Sequence, residues 1–102
     1  MKHYEGQNFE EVVGVQGLVL VDFFAVWCGP CQMLMPVVEQ VSAELTDTEF
    51  YFVDIDKYRD LAVSHRVQSV PTLVLYKDGE EVARRAGYQP KAKLIEWINS
   101  FR

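Results

Sequence analysis

The chain has 102 residues, 49% of them hydrophobic and 13% aromatic, and a formal net charge of -5. That length bounds it to one small domain over residues 1–102, with enough apolar material for a packed core that needs no staples. An acidic balance without a Lys/Arg-rich block excludes a nucleic-acid binder, which needs a basic face for phosphates, so Arg84-Arg85 and Lys91-x-Lys93 read as solvated surface.

The opening stretch MKHYEGQNFE has no apolar leader core, and the longest apolar run, LVLVDFFAVWC, is interrupted by Asp22 and too short to span a bilayer. The expectation is a cytoplasmic protein with no membrane partner. NFEEVVGV predicts a short helix with Asn8 as its N-cap. LVLVDFFA is the near-continuous apolar run of a strand buried on both faces, the mark of a central parallel strand. From Cys31 onward, Leu34, Val38, Val41 and Leu45 recur at helical spacing. Pro36 falls inside that pattern, and its missing N–H should bend the helix rather than end it. The second helix therefore begins at the cysteines.

EFYFVDID then reads as a strand and KYRDLAVSHR as a short helix. TLVLYKDGEEVARRAG is two strand-like runs about Asp78-Gly79, the commonest short hairpin signal. PKAKLIEWINSFR places Leu94, Ile98 and Phe101 on one face of a helix opened by Pro90, with Trp97 on its apolar side. No repeat, low-complexity tract or linker interrupts this order. The sum is a mixed sheet sandwiched by helices.

The chemistry concentrates in VDFFAVWCGPCQM, which holds both cysteines. A buried strand feeding a helix puts WCGPC at the carboxyl end of a strand, where ligands and reactions collect in such folds. At a helix start, unpaired N–H groups and the positive end of the helix dipole favour the thiolate form of Cys28, the nucleophile of disulfide exchange. Cys31 lies about one helical turn on, so its sulfur can reach Cys28 and displace a partner from a mixed disulfide. Gly29 admits close approach of another chain, and Pro30 presets the first turn. A purely structural disulfide over so short a loop would stabilise by only about 2 kcal/mol. A zinc site needs four ligands, but there is no second CxxC, and His3 and His65 stand alone and read as surface residues.

WCGPC after a VDFFA-type strand, followed by VPT and a KDGE hairpin, closely resembles the thioredoxin family over nearly the whole chain. The resemblance implies an α/β thioredoxin fold, a central mixed five-stranded sheet flanked by four helices in three α/β/α layers. It also implies a monomer that reduces disulfides of client proteins, with Cys28 attacking and Cys31 resolving. No cofactor is bound in that family, and electrons come from NADPH through a separate thioredoxin reductase. The Gly29-Pro30 dipeptide is typical of the reducing members, whereas related oxidases and isomerases usually carry a histidine there. Two rival readings are a same-fold oxidase or isomerase with a higher potential, and a redox-inert adaptor that only binds.

Asp22 sits within the apolar strand, where desolvation should raise its pKa and keep it protonated near neutral pH. The resemblance makes it the proton acceptor for Cys31. Many relatives place a lysine beside this aspartate, but the matching position here is Phe52, and Phe24 replaces a common tryptophan. Pro71 precedes a strand, where residue statistics alone favour trans, but the resemblance implies a cis bond facing the cysteines. The backbone of Val70 should then pair with a client segment, with Thr72 following as in the family pattern. Trp27 should border Cys28, and Gly87 should leave room for the client backbone.

Overall fold

The computed structural model describes residues 2–102, in the order β1 (Lys2–His3), α1 (Phe9–Val13), β2 (Leu18–Phe24), α2 (Gly29–Glu44), β3 (Glu49–Asp54), α3 (Arg59–Ser64), β4 (Thr72–Lys77), β5 (Glu80–Ala86) and α4 (Lys91–Asn99). One mixed sheet of five strands runs β1-β3-β2-β4-β5, with four helices around it, as the resemblance implied. Among the described residues no helix is long and apolar enough to cross a membrane.

All seven residues of β2 are buried, because the strand lies mid-sheet with a helical layer on each face. It is parallel to β3 but antiparallel to β4, so the expected parallel strand is parallel on one side only. Even-numbered residues of β2, Leu18, Leu20 and Phe24, pack into one core with Cys31, Leu34, Val38 and Val41 of α2 and Leu94, Trp97 and Ile98 of α4. Odd-numbered Val19, Val21 and Phe23 join a second core with Phe9 and Val13 of α1 and Ala62 of α3. The pleat of β2 thus assigns every side chain to one of two layers.

Local signals account for most boundaries. The Asn8 side chain accepts the Glu11 N–H at 3.1 Å and caps α1. Helix α2 passes through Pro36. The β4–β5 turn has positive φ at both Asp78 (52°) and Gly79 (86°), the signature of a type I′ hairpin. Pro90 sits at the N-cap of α4, one position before the first helical residue, and Phe101 packs on the core from just past the helix end. His65 is not a free surface residue: half-buried, its ring lies 4.8 Å from Phe9, and its Nδ1 is 2.9 Å from the Leu61 carbonyl. Strand β1 has no counterpart in the residue reading, being two exposed residues held by pairing with Tyr51 and Phe52.

The sides of α2 differ sharply: Leu34 is fully buried and its neighbour Met33 is 63% exposed. Leu34→Ala should lower the unfolding free energy by about 2–5 kcal/mol, and Met33→Ala by under about 0.5 kcal/mol. Urea midpoints at constant slope measure both.

Candidate active site

The carboxyl end of β2 leads through a tight turn, closed by the Cys28 N–H donating to the Ala25 carbonyl at 3.2 Å, into α2. Cys28 is the N-cap of that helix, with Gly29 and Pro30 forming its first turn. Its sulfur accepts the Cys31 N–H at 3.2 Å, as a capping oxygen would. An amide dipole and the helix N-terminus therefore both face the Cys28 sulfur. Both cysteines are free thiols, and both are buried.

The Val70–Pro71 peptide bond is cis, and the Cys28 sulfur lies 3.6 Å from the Val70 carbonyl. Thr72, which opens β4, donates its hydroxyl to the Ser69 carbonyl at 2.6 Å. Gly87, with φ of 89°, donates its N–H to the Pro71 carbonyl at 2.9 Å, and nothing lies within 4 Å of where a Cβ would be. Trp27 is 69% exposed, and beside it an open groove of about 320 Å³ runs past Ile55, Val67 and Val70. Loops far apart in sequence thus bring Trp27, Cys28, Val70, Pro71 and Gly87 to one end of the sheet.

Residue spacing did not point to what holds Trp27. Its indole N–H donates to Asp56 Oδ2 at 2.9 Å. Asp56 is fixed in turn by Asp54, whose Oδ1 accepts the Asp56 N–H at 2.9 Å and the Lys57 N–H at 3.4 Å. The only trace in the sequence is Asp54 itself, a turn-forming residue whose side chain bonds the backbone two positions on.

Asp22 faces the α2 layer by the alternation of β2, and its register neighbours are Phe52 on β3 and Leu73 on β4. It is fully buried, and neither carboxyl oxygen has a hydrogen-bond partner among the described residues. Burial alone pushes its pKa from 3.8 up to about 7. Cys31 is pushed up to about 12, first by burial, then by its contact with Cys28, with the negative charges of Cys28 and Asp22 adding to it. The backbone of Ala25 works the other way. Phe52 does occupy the place next to Asp22 on β3, so no cation offsets the burial. Among the described residues, no three His, Cys, Asp or Glu side chains converge to hold a metal.

This arrangement can give up two electrons to an acceptor as its two adjacent sulfurs join in a disulfide, with a carboxyl of mid-range pKa close enough to Cys31 to influence its ionisation. Comparison with known proteins agrees with that chemistry. The Thioredoxin family model matches residues 1–100. A thioredoxin of Chlamydia pneumoniae is 46% identical over 99 residues, which cover 97% of this chain and 96% of that one. Among solved structures, a mutant thioredoxin from Halobacterium salinarum NRC-1 shares the fold with a TM-score of 0.88 at 44% identity, covering 97% of this chain and 88% of that one. Plasmodium falciparum thioredoxin matches with a TM-score of 0.90 at 31% identity over the full length of both chains.

The raised value of Asp22 makes stability depend on pH. Between the ordinary Asp value and about 7 the folded chain holds a proton that the unfolded chain has released, so stability falls as pH rises through that window. At about 1.4 kcal/mol per pH unit, the loss is of the order of 4 kcal/mol by pH 8. Asp22→Asn, which cannot ionise, should escape this loss. Its urea stability relative to the native chain should rise between pH 4 and pH 8; parallel profiles would show that Asp22 is not the titrating group.

Proposed function

The chain belongs to the thioredoxin family and is a thiol-disulfide oxidoreductase, and we propose that within that family it works as a reductase of protein disulfides. The observation that carries this reading is the placement of the Cys28 sulfur, capped by the Cys31 N–H at 3.2 Å and set 3.6 Å from the carbonyl of Val70. A client disulfide laid along Val70 meets the nucleophile and a main-chain pairing edge together.

In the first step the Cys28 thiolate attacks one sulfur of the client disulfide. The client S–S bond breaks, a Cys28–client disulfide forms, and the other client sulfur leaves as a thiolate. In the second step Cys31 gives its proton to the Asp22 carboxylate and attacks the Cys28 sulfur. The mixed disulfide breaks, a Cys28–Cys31 disulfide forms, and the second client sulfur is released. Two electrons have passed from the dithiol to the client.

The ionisation of Cys31 fits this order. Two of the influences that hold its proton on, the contact with the Cys28 sulfur and that sulfur's negative charge, belong to free Cys28. Both are lost once Cys28 is bonded to a client, so the first step itself eases the deprotonation that the second requires. The resolving thiol is restrained in the resting dithiol and released in the mixed disulfide.

No bound cofactor is part of this cycle. Reduction of the spent pair is assigned in this proposal to a separate thioredoxin reductase drawing on NADPH, with a monomer in the cytoplasm as the working form; the family reading supports the first, and the need for a compartment that keeps thiols reduced supports the location. The Gly29-Pro30 dipeptide between the cysteines supports the reducing direction over oxidation or isomerisation.

Cys31→Ser should accumulate mixed disulfides between Cys28 and clients, visible as mass adducts that a reductant removes, whereas Cys28→Ser should form none. The Cys28/Cys31 potential, from equilibration in a thiol-disulfide buffer, should lie below about -250 mV. A value near -180 mV or higher would replace the reductase reading with oxidation or isomerisation.

A further inference from the structure

Beside α2, on the side of the sheet edge made by β1, lies a solvent-open cavity of about 470 Å³. Phe24, Phe52 and Met35 form part of its wall, together with His3 from β1. Asp22 is not part of that wall. Yet Asp22, Phe52 and His3 are register neighbours on the adjacent strands β2, β3 and β1. Paired residues of parallel strands point to the same face, so the three side chains stand in a row with Phe52 in the middle.

The rings in this row are packed together. Phe24 and Phe52 meet edge to face at 5.8 Å, His3 lies 5.1 Å from Phe52, and its edge contact with Phe24 is 6.2 Å. Phe52 is 1% exposed and Phe24 5%, while Asp22 is 0%. Water therefore reaches His3 and the outer faces of the rings but stops there. Phe24 and Phe52 are thus neighbours in one wall.

We propose that the rings of Phe24 and Phe52, braced by His3, form an aromatic screen between that cavity and the Asp22 carboxyl, keeping the carboxyl dry and its proton exchange on the thiol side. This rests on the reading of Asp22 as proton acceptor for Cys31. The ionisable groups on the inner side are Cys28 and Cys31 from α2 and, beyond Leu73 in the same register row, the exposed Arg85 of β5, whose guanidinium lies over the Trp97 ring. β3 and β4 present Phe52 and Leu73 at the register of Asp22, and α4 contributes Leu94, Trp97 and Ile98 to the same core. His3, Tyr4, Glu5, Asp54, Lys57 and Tyr58 line the outer cavity, beyond the rings. Phe24 and Phe52 are thus positioning residues that act through Asp22, filling space that would otherwise admit water to two unpartnered oxygens.

The test is a carbon-13 titration of the Asp22 side-chain carboxyl in the reduced full chain. Phe52→Ala opens the screen onto the cavity, and water in a polar site with free acceptors favours the carboxylate. Its midpoint should fall by about one pH unit or more from the native value. Phe52→Val, which leaves a smaller apolar side chain suited to a strand, should move it the same way by less, and decides the matter alone if the alanine variant does not fold. Phe23→Ala removes an equal ring from the opposite face of β2 and should leave the midpoint where it was. The proposal is overturned if the midpoint stays fixed in both Phe52 variants, or falls as far in Phe23→Ala. Single-turnover release of client from the Cys28 mixed disulfide separates the two readings: if Asp22→Asn releases as fast as the native chain, proton acceptance by Asp22 fails, while the screen is still judged by the titration.

Discussion

The dryness of β2 is the constraint from which the rest of the site follows. A strand buried over all seven residues can end only at an edge of the core, and its last turn must deliver the chain to solvent there. That exit is where Cys28 caps α2. The same burial surrounds Asp22 with Phe52, Leu73 and the α2 thiols and gives its oxygens no partner. An acid with a pKa near 7 is therefore a by-product of where the strand sits, without any dedicated charge nearby.

This burial has a thermodynamic cost, and the magnitudes show why the fold tolerates it. The carboxyl removes of the order of 4 kcal/mol above neutral pH, a large part of the 5–15 kcal/mol typical of a native domain, about 0.1 kcal/mol per residue. Its strand neighbours Val19, Leu20, Val21 and Phe23 are fully buried, each contributing roughly 1.5–3 kcal/mol. Four such side chains exceed the penalty. A central strand is thus among the few places where so unfavourable a group can be held without unfolding the chain.

How far residue order anticipates this structure depends on the range of each interaction. Wherever a signal is local, the reading and the fold agree: the apolar run of β2, the helical spacing of Leu34, Val38 and Val41, the Asn8 cap and the Asp78-Gly79 turn each act within a few residues. Strand β1 escaped because Lys2 and His3 carry no periodicity and are ordered by pairing with β3, some fifty residues on, and by ring contacts of His3 with Phe24 and Phe52. The Trp27–Asp56 bond spans 29 positions, and the half-buried place of His65 depends on α1 and β2 packing against α3. The cis bond at Pro71 was expected only through the family resemblance, since residue statistics favour trans. The cysteine pair was readable because its chemistry needs only a strand end, a helix start and one turn of spacing.

The alternation of β2 finally divides labour between the two faces of the sheet. Even-numbered positions, ending in Asp22 and Phe24, look into the layer that holds Cys28, Cys31 and the Phe52 ring, so the acid and both sulfurs share one water-poor space. Odd-numbered Val19, Val21 and Phe23 look toward α1 and α3, into a layer that holds Tyr51, Tyr76 and the half-buried His65 but neither cysteine. That second layer still reaches the site, but mechanically. It seats α3 and the turn before it, where Asp54 fixes Asp56 and Asp56 fixes the indole of Trp27. One face sets the ionisation of the thiols and the other sets the rim around them. A change of parity, by a one-residue slip of β2, would exchange the two faces and place Asp22 among the packing residues, away from Cys31. The register of this single strand with β3 and β4 is therefore as much a condition of the chemistry as the cysteines themselves.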